Sequence, residues 1–111
     1  MDMHMSPRVL IRTLQMALGG SDVVCDIVVR IALPERDPVT GGDFRVLVEI
    51  GGFDEPYSRH VHGVDELQAF LAGCWLVPQI LNALAPPGAR LTWLGEDDLG
   101  FGASPAAAIP A

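Results

Sequence analysis

V-V-C-D-I-V-V-R-I-A-L, residues 23–33, decides the fold. Val23, Cys25, Ile27, Val29, Ile31 and Leu33 are apolar at every second position, while Asp26 and Arg30 mark the alternate positions. A period of two is the signature of a β-strand, because successive side chains point to opposite faces of a sheet. One face therefore meets a core and the other meets water.

The neighbouring segments extend that sheet. Upstream, residues 9–18 place Leu10, Leu14, Met16 and Leu18 on one side, with Arg12 the exception, and Gly19-Gly20-Ser21-Asp22 turns the chain. Downstream, Pro34 to Gly42 reads as a loop. Phe44, Val46, Val48 and Ile50 then alternate with Arg45 and Glu49 as a third strand. A turn at Gly51-Gly52 and Asp54-Glu55-Pro56 leads to a shorter fourth strand, Tyr57 to Val61. Consecutive strands joined by short loops predict an antiparallel meander.

The pattern then changes period. Leu67, Phe70, Leu71, Cys74, Val77, Leu81 and Leu84 recur at helical spacing, Asp65 is placed to cap the N-terminus with Gln68 as its capping-box partner, and Pro86-Pro87-Gly88 stops the run. Pro78 inside the helix predicts a kink near Cys74. Arg90 to Leu94 forms a last short strand. The expectation is an α+β domain, β-β-β-β-α-β: a four- to five-stranded, mainly antiparallel sheet with helix 65–84 on one face. It spans residues 9–101, between an N-terminal extension, 1–8, and a disordered tail, 102–111. The expected core is Cys25, Ile27, Val29, Ile31, Val46, Val48, Phe70, Leu71, Cys74 and Leu81. On that list, Leu71→Ala costs ~2–5 kcal/mol.

Composition narrows the function. The chain has 111 residues, half of them hydrophobic, with seven Arg, no Lys and fourteen acidic residues, for a formal charge of −7. That balance opposes nucleic acid as a partner. Abundant Ala, Gly, Pro, Val and Arg without Lys fits a GC-rich, bacterial genome. The apolar part of the N-terminus is too short for a signal peptide, which predicts a cytoplasmic protein. Leu67 to Ala89 carries no charge. Gln68, Gln79, Asn82 and Pro78 interrupt it, however, and a spanning helix wants about 20 mostly apolar residues, so a buried helix and no membrane contact are expected. Cys25 and Cys74 lack ligand spacing and read as reduced, buried thiols.

Few residues point to chemistry. His60 and His62, two apart on a strand, face one side with Cα atoms ~6.5–7 Å apart and form a weak metal pair, with Asp54 or Glu55 as a third ligand. Solvated histidines without metal are the simpler expectation. Glu96-Asp97-Asp98 is a compact acidic turn suited to a basic partner, but its spacing is not that of a cation loop. No Ser lies in a nucleophile elbow, no Gly pair forms a phosphate loop, and no cofactor is implied.

The segments Arg12-Thr13-Leu14, G-V-D-E-L-Q-A-F (63–70) and L-T-W-L-G-E-D-D-L-G-F (91–101) resemble a small uncharacterised bacterial family. Its members pair an R-T-L strand with a G-V-D-x-L-Q helix start and close on an L-x-W-L-G-E segment. The likeness covers residues 9–101. It supports the fold and carries no catalytic residue; Pro78 lies outside the pattern.

The functional expectation is a non-catalytic protein-interaction domain, an immunity or accessory protein, with a metal-binding module at His60 and His62 as the alternative. Its surface is the helix stripe Gln68, Ala72, Trp75, Gln79 and Asn82, polar but uncharged. Trp75, Leu76 and Gln79 anchor a partner there, most simply a second copy of the chain. Folding of the C-terminal strand and tail back over the helix is the competing explanation for the missing charges.

Overall fold

The computed structural model describes residues 8–102. Six strands and one helix follow in the order β1 (Val9–Ala17), β2 (Val24–Ala32), β3 (Glu35–Arg36), β4 (Phe44–Gly51), β5 (Tyr57–Gly63), α1 (Glu66–Leu84) and β6 (Arg90–Thr92). Every strand pairing is antiparallel. The fold is α+β, as the alternation predicts, with one more strand than expected because β3 occupies the loop after β2.

β3 continues β2 after an interruption. Ile31 pairs with Val48, whereas Glu35 pairs with Arg45. One side takes one step more than the other, so the chain bulges around Leu33 and Pro34, where proline's missing N–H is tolerated. β4 is central: β2 and β3 share one of its edges, and β5 pairs along the other from Phe44 to Ile50. β1 pairs with β2 along its whole length, and β6 joins the far edge of β1 only at Gln15–Ala17.

The core lies between one sheet face and α1. Leu14, Ile27, Val29, Val46, Val48 and Ile50 from the sheet meet Ala69, Val77 and Leu81 from the helix, all fully buried. Cross-strand partners such as Leu14 and Ile27 share this face. At its start, Asp65 accepts the Gln68 N–H at 2.7 Å, and the Gln68 side chain accepts the Val64 N–H at 2.6 Å. That is the predicted capping box, with its return bond made one residue earlier. The helix runs through Pro78 unbroken and ends at Ala85, before Pro86-Pro87.

The rotation of α1 differs from the expectation. Ala69, Gly73, Val77, Ile80 and Leu81 are its buried residues. Phe70 and Cys74 are only half-buried at the margin of the core, and Leu71 is half-buried outside it. Leu67, expected inside, is 66% exposed. The helix is turned by roughly a quarter turn from the leucine-weighted face. The reason is steric. A Cβ on Gly73 would lie 2.7 Å from a Val46 methyl, so the helix approaches β4 where it has no side chain. On the sheet, Cys25 is half-buried and the strand ends Val23 and Leu33 are exposed.

α1 packs on β5, β4 and part of β2. Over β1, β6 and the chain after it take part in the covering. Leu91, Trp93, Leu99 and Phe101 pack against the core. Arg12, the exception in the β1 face, holds this segment. Its Nη1 donates to the carbonyls of Leu99 (3.0 Å) and Gly100 (2.8 Å), and its guanidinium lies 3.7 Å from the Trp93 ring centroid and 5.0 Å from that of Phe101. A charge among apolar residues is tolerated because carbonyls and aromatic faces replace its water. The fold-back expectation holds as far as Gly102, where Trp75 Nε1 comes within 3.9 Å of the position a Cβ would take. The expected disordered tail otherwise lies outside the described residues, as does the extension before Arg8.

Candidate interaction surface

Rotation of α1 places apolar side chains where a leucine-weighted wheel does not. Leu67, Leu71 and Trp75 stand one turn apart on one row of the helix, Leu67 largely exposed and the other two half-buried. Gln68, Gln79 and Asn82 flank that row, all exposed and uncharged. Trp75 therefore sits on the outer face, as the stripe reading expects. Leu76, one residue on, turns to the flank beside β5, where it lines a shallow groove with Tyr57, Arg59, Gln79 and Ile80. The three expected anchors thus occupy two neighbouring strips of the surface.

A second groove lies between α1 and the start of β1. Leu10, Leu33, Pro34, Leu67 and Phe70 line its outer part. Leu10 and Phe70 also line a deeper hollow of about 180 Å³ that ends on Cys74, Arg12 and Phe101. Burial raises the Cys74 thiol pKa above its ordinary value, and the positive charge of Arg12 opposes the rise in part. Both cysteines are free thiols. A thiol held protonated in apolar surroundings is a packing group rather than a nucleophile. Leu10 is 50% exposed and Ile11 61%. The apolar surface therefore runs from the β1 edge, across the groove, to the outer row of α1. By length and composition alone α1 could cross a membrane; in this fold one face of it is committed to the sheet.

The polar candidates are engaged elsewhere. His60 and His62 are exposed on the sheet face away from α1. They are not joined there by Asp54 or Glu55, and no three His, Cys, Asp or Glu side chains among the described residues converge as metal ligands. His62 Nε2 instead lies 3.0 Å from Asp37 Oδ2. Asp37, which the sequence reading did not single out, is only 5% exposed. Its Oδ1 accepts the Val39 N–H at 2.8 Å, and its backbone bonds Asp43 and Gly41. The turn sequence Asp37-Pro38-Val39-Thr40 was the available signal, since Asp before proline commonly closes such a turn with its side chain. Next to this pair, Arg45 bonds Glu35 at 2.8 Å.

The Asp37 carboxyl is held below its ordinary value of 3.8, chiefly by the Val39 N–H and further by the Thr40 N–H and His62, with burial opposing. A carboxyl with a lower value when folded stabilises the fold above its unfolded value and loses that contribution as pH falls through the folded one. The urea midpoint of the wild type should therefore drop in acid below 3.8 more steeply than that of Asp37→Asn. Equal slopes would remove Asp37 from acid stability.

In the acidic turn, Asp97 pairs with Arg90 at 2.9 Å and Asp98 accepts the Gly100 N–H at 2.9 Å. Glu96 is the remaining carboxylate of that patch, and all three residues are exposed. Two of the three carboxylates expected to meet a basic partner thus have local roles.

No curated protein matches the sequence, and no solved structure matches the chain. A family model does match, over residues 10–103, which is nearly the whole span of the strands, the helix and the segment clamped by Arg12. The chain belongs to the family described as DUF6968, a domain of unknown function.

Proposed function

We propose that the protein is a non-catalytic protein-interaction domain, of the immunity or accessory kind, acting in the bacterial cytoplasm. The carrying observation is the outer row of α1. Leu67, Leu71 and Trp75 lie off the core face on a helix surface without a single charge between Leu67 and Ala89. Among the described residues, the chain after β6 approaches this row at Trp75, from Gly102. A helix whose outer face meets only water normally carries charged residues there. Aromatic and apolar anchors without charges characterise the centres of protein interfaces. The formal charge of −7 favours a protein partner over nucleic acid.

A photo-reactive phenylalanine analogue placed singly at Leu67, Leu71 and His60 tests this in cells that make the protein. Intermolecular adducts should form from Leu67 and Leu71 and not from His60, on the opposite sheet face. Adducts from none of the three, or equally from all, would overturn the interaction reading.

A further inference from the structure

The two outer strands of the sheet are unlike each other. β5 presents exposed Ser58, Arg59, His60 and His62 and starts after Pro56, features that discourage another strand from adding. β1 has none of them between Val9 and Ile11. It pairs with β2 over nine consecutive residues without a bulge, and Val9, Leu10 and Ile11 are 36, 50 and 61% exposed.

The direction of its backbone groups follows from one bond. The Arg8 carbonyl accepts the Leu33 N–H at 3.1 Å, which makes Arg8 and Leu33 a hydrogen-bonded pair. In an antiparallel ladder such pairs alternate, so even-numbered residues of β1 turn their N–H and C=O toward β2 and odd-numbered residues turn theirs outward. β6 uses the outward groups at Gln15 and Ala17. Those of Val9, Ile11 and Thr13 lie beyond the end of β6, and no backbone group among the described residues pairs with them.

We propose that this edge pairs with the same edge of a second copy of the chain, antiparallel and about a two-fold axis at Ile11, joining two sheets into one. The inference rests on the interaction reading above, and it places a second copy at the strand edge beside the groove that Leu10, Leu67 and Phe70 line. The backbone admits only registers that set odd-numbered residues opposite odd-numbered ones, and one of these engages all three outward-facing residues. With Ile11 opposite the partner's Ile11, Val9 falls opposite the partner's Thr13, and every outward N–H and C=O of Val9, Ile11 and Thr13 meets its complement. A shift by one residue would set outward groups against inward ones. On the helix side, Leu10 meets the stem of the partner's Arg12, and the groove beside Phe70 continues across the seam. Charge permits the approach. Two chains of formal charge −7 repel each other, but β1 contains no carboxylate from Val9 to Ala17.

Light scattering should give the wild type twice its monomer mass. Ile11→Pro removes an N–H that has no partner within its own sheet, so the variant should stay folded and its mass should fall twofold. Ile11→Lys is the second variant, should proline disturb folding, with the same expected fall. In a background with Cys25 and Cys74 replaced by alanine, Ile11→Cys should oxidise to a covalent dimer, because hydrogen-bonded pairs place Cα atoms ~5.5 Å apart, within disulfide reach. Thr13→Cys alone should remain uncrosslinked, and should crosslink when mixed with Val9→Cys. A monomeric wild type at high concentration, or a dimer that survives both Ile11 variants, would overturn the pairing. Adducts from Leu67 and Leu71 to a different protein would in that case leave the interaction reading standing, so the two failures are distinguishable.

Discussion

Gly63→Ala is expected to destabilise the protein by on the order of 3 kcal/mol, the upper end of overpacking costs. Gly63 ends β5, two residues before the helix cap Asp65. A Cβ there would lie 2.7 Å from the Ala69 Cα and 2.8 Å from the Gln68 carbonyl carbon, and would also press on the Ala69 nitrogen. All three are backbone atoms of the first helical turn, so no rotamer change relieves the overlap. The turn itself is tied down by the Asp65 and Gln68 capping bonds, and Ala69 behind it is fully buried against the sheet. To admit one methyl group, α1 must slide or its cap must break. Thermal unfolding should show a fall in Tm of about 10 °C or more. Gly42→Ala serves as the control: nothing lies within 4 Å of its added Cβ, and its backbone needs no positive φ. If both variants melt together, the close passage of β5 under the helix start is wrong.

That contact shows where sequence reading stops. The strands were legible because alternation is a local property. The expected segments 9–18, 23–33 and 44–50 correspond closely to β1, β2 and β4. The start of α1 was equally legible, since Asp65 and Gln68 carry their capping chemistry in their spacing. The rotation of α1 was not. A hydrophobic wheel weights Leu and Phe heavily and gives almost nothing to Ala69 and Gly73. Yet closeness of approach is set by the smallest side chains, and only the sheet opposite reveals which they are.

The candidate surface follows the same division. That the outer stripe of the helix lacks charge is a statement about composition, and the sequence carries it in full. That Leu67 and Leu71 belong to the surface depends on the rotation, so it could not be read. Arg12 was visible only as an exception on an apolar face. Its partners lie far along the chain at Trp93, Leu99, Gly100 and Phe101, and one-dimensional patterns do not report such pairings. The open β1 edge likewise depends on β6 being three residues long, which the expected strand Arg90 to Leu94 overstated.

The rotation of the helix makes two leucines unequal. Leu81→Ala should cost ~2–5 kcal/mol, because Leu81 is fully buried beside Val77, and the methyl groups removed leave a cavity that a sheet-backed core cannot close. Leu71→Ala should cost about 1 kcal/mol or less, the range of substitutions away from the packed core, since Leu71 is partly buried and lies outside the core cluster. Both residues lie inside α1, and alanine favours a helix over leucine only slightly, so propensity does not separate them. Urea unfolding of the two variants side by side therefore reads the helix rotation directly. Equal costs would turn Leu71 back toward the sheet and take it off the proposed surface. A large cost at Leu81 with a small one at Leu71 would place the row Leu67–Leu71–Trp75 outside the helix face that packs on the sheet.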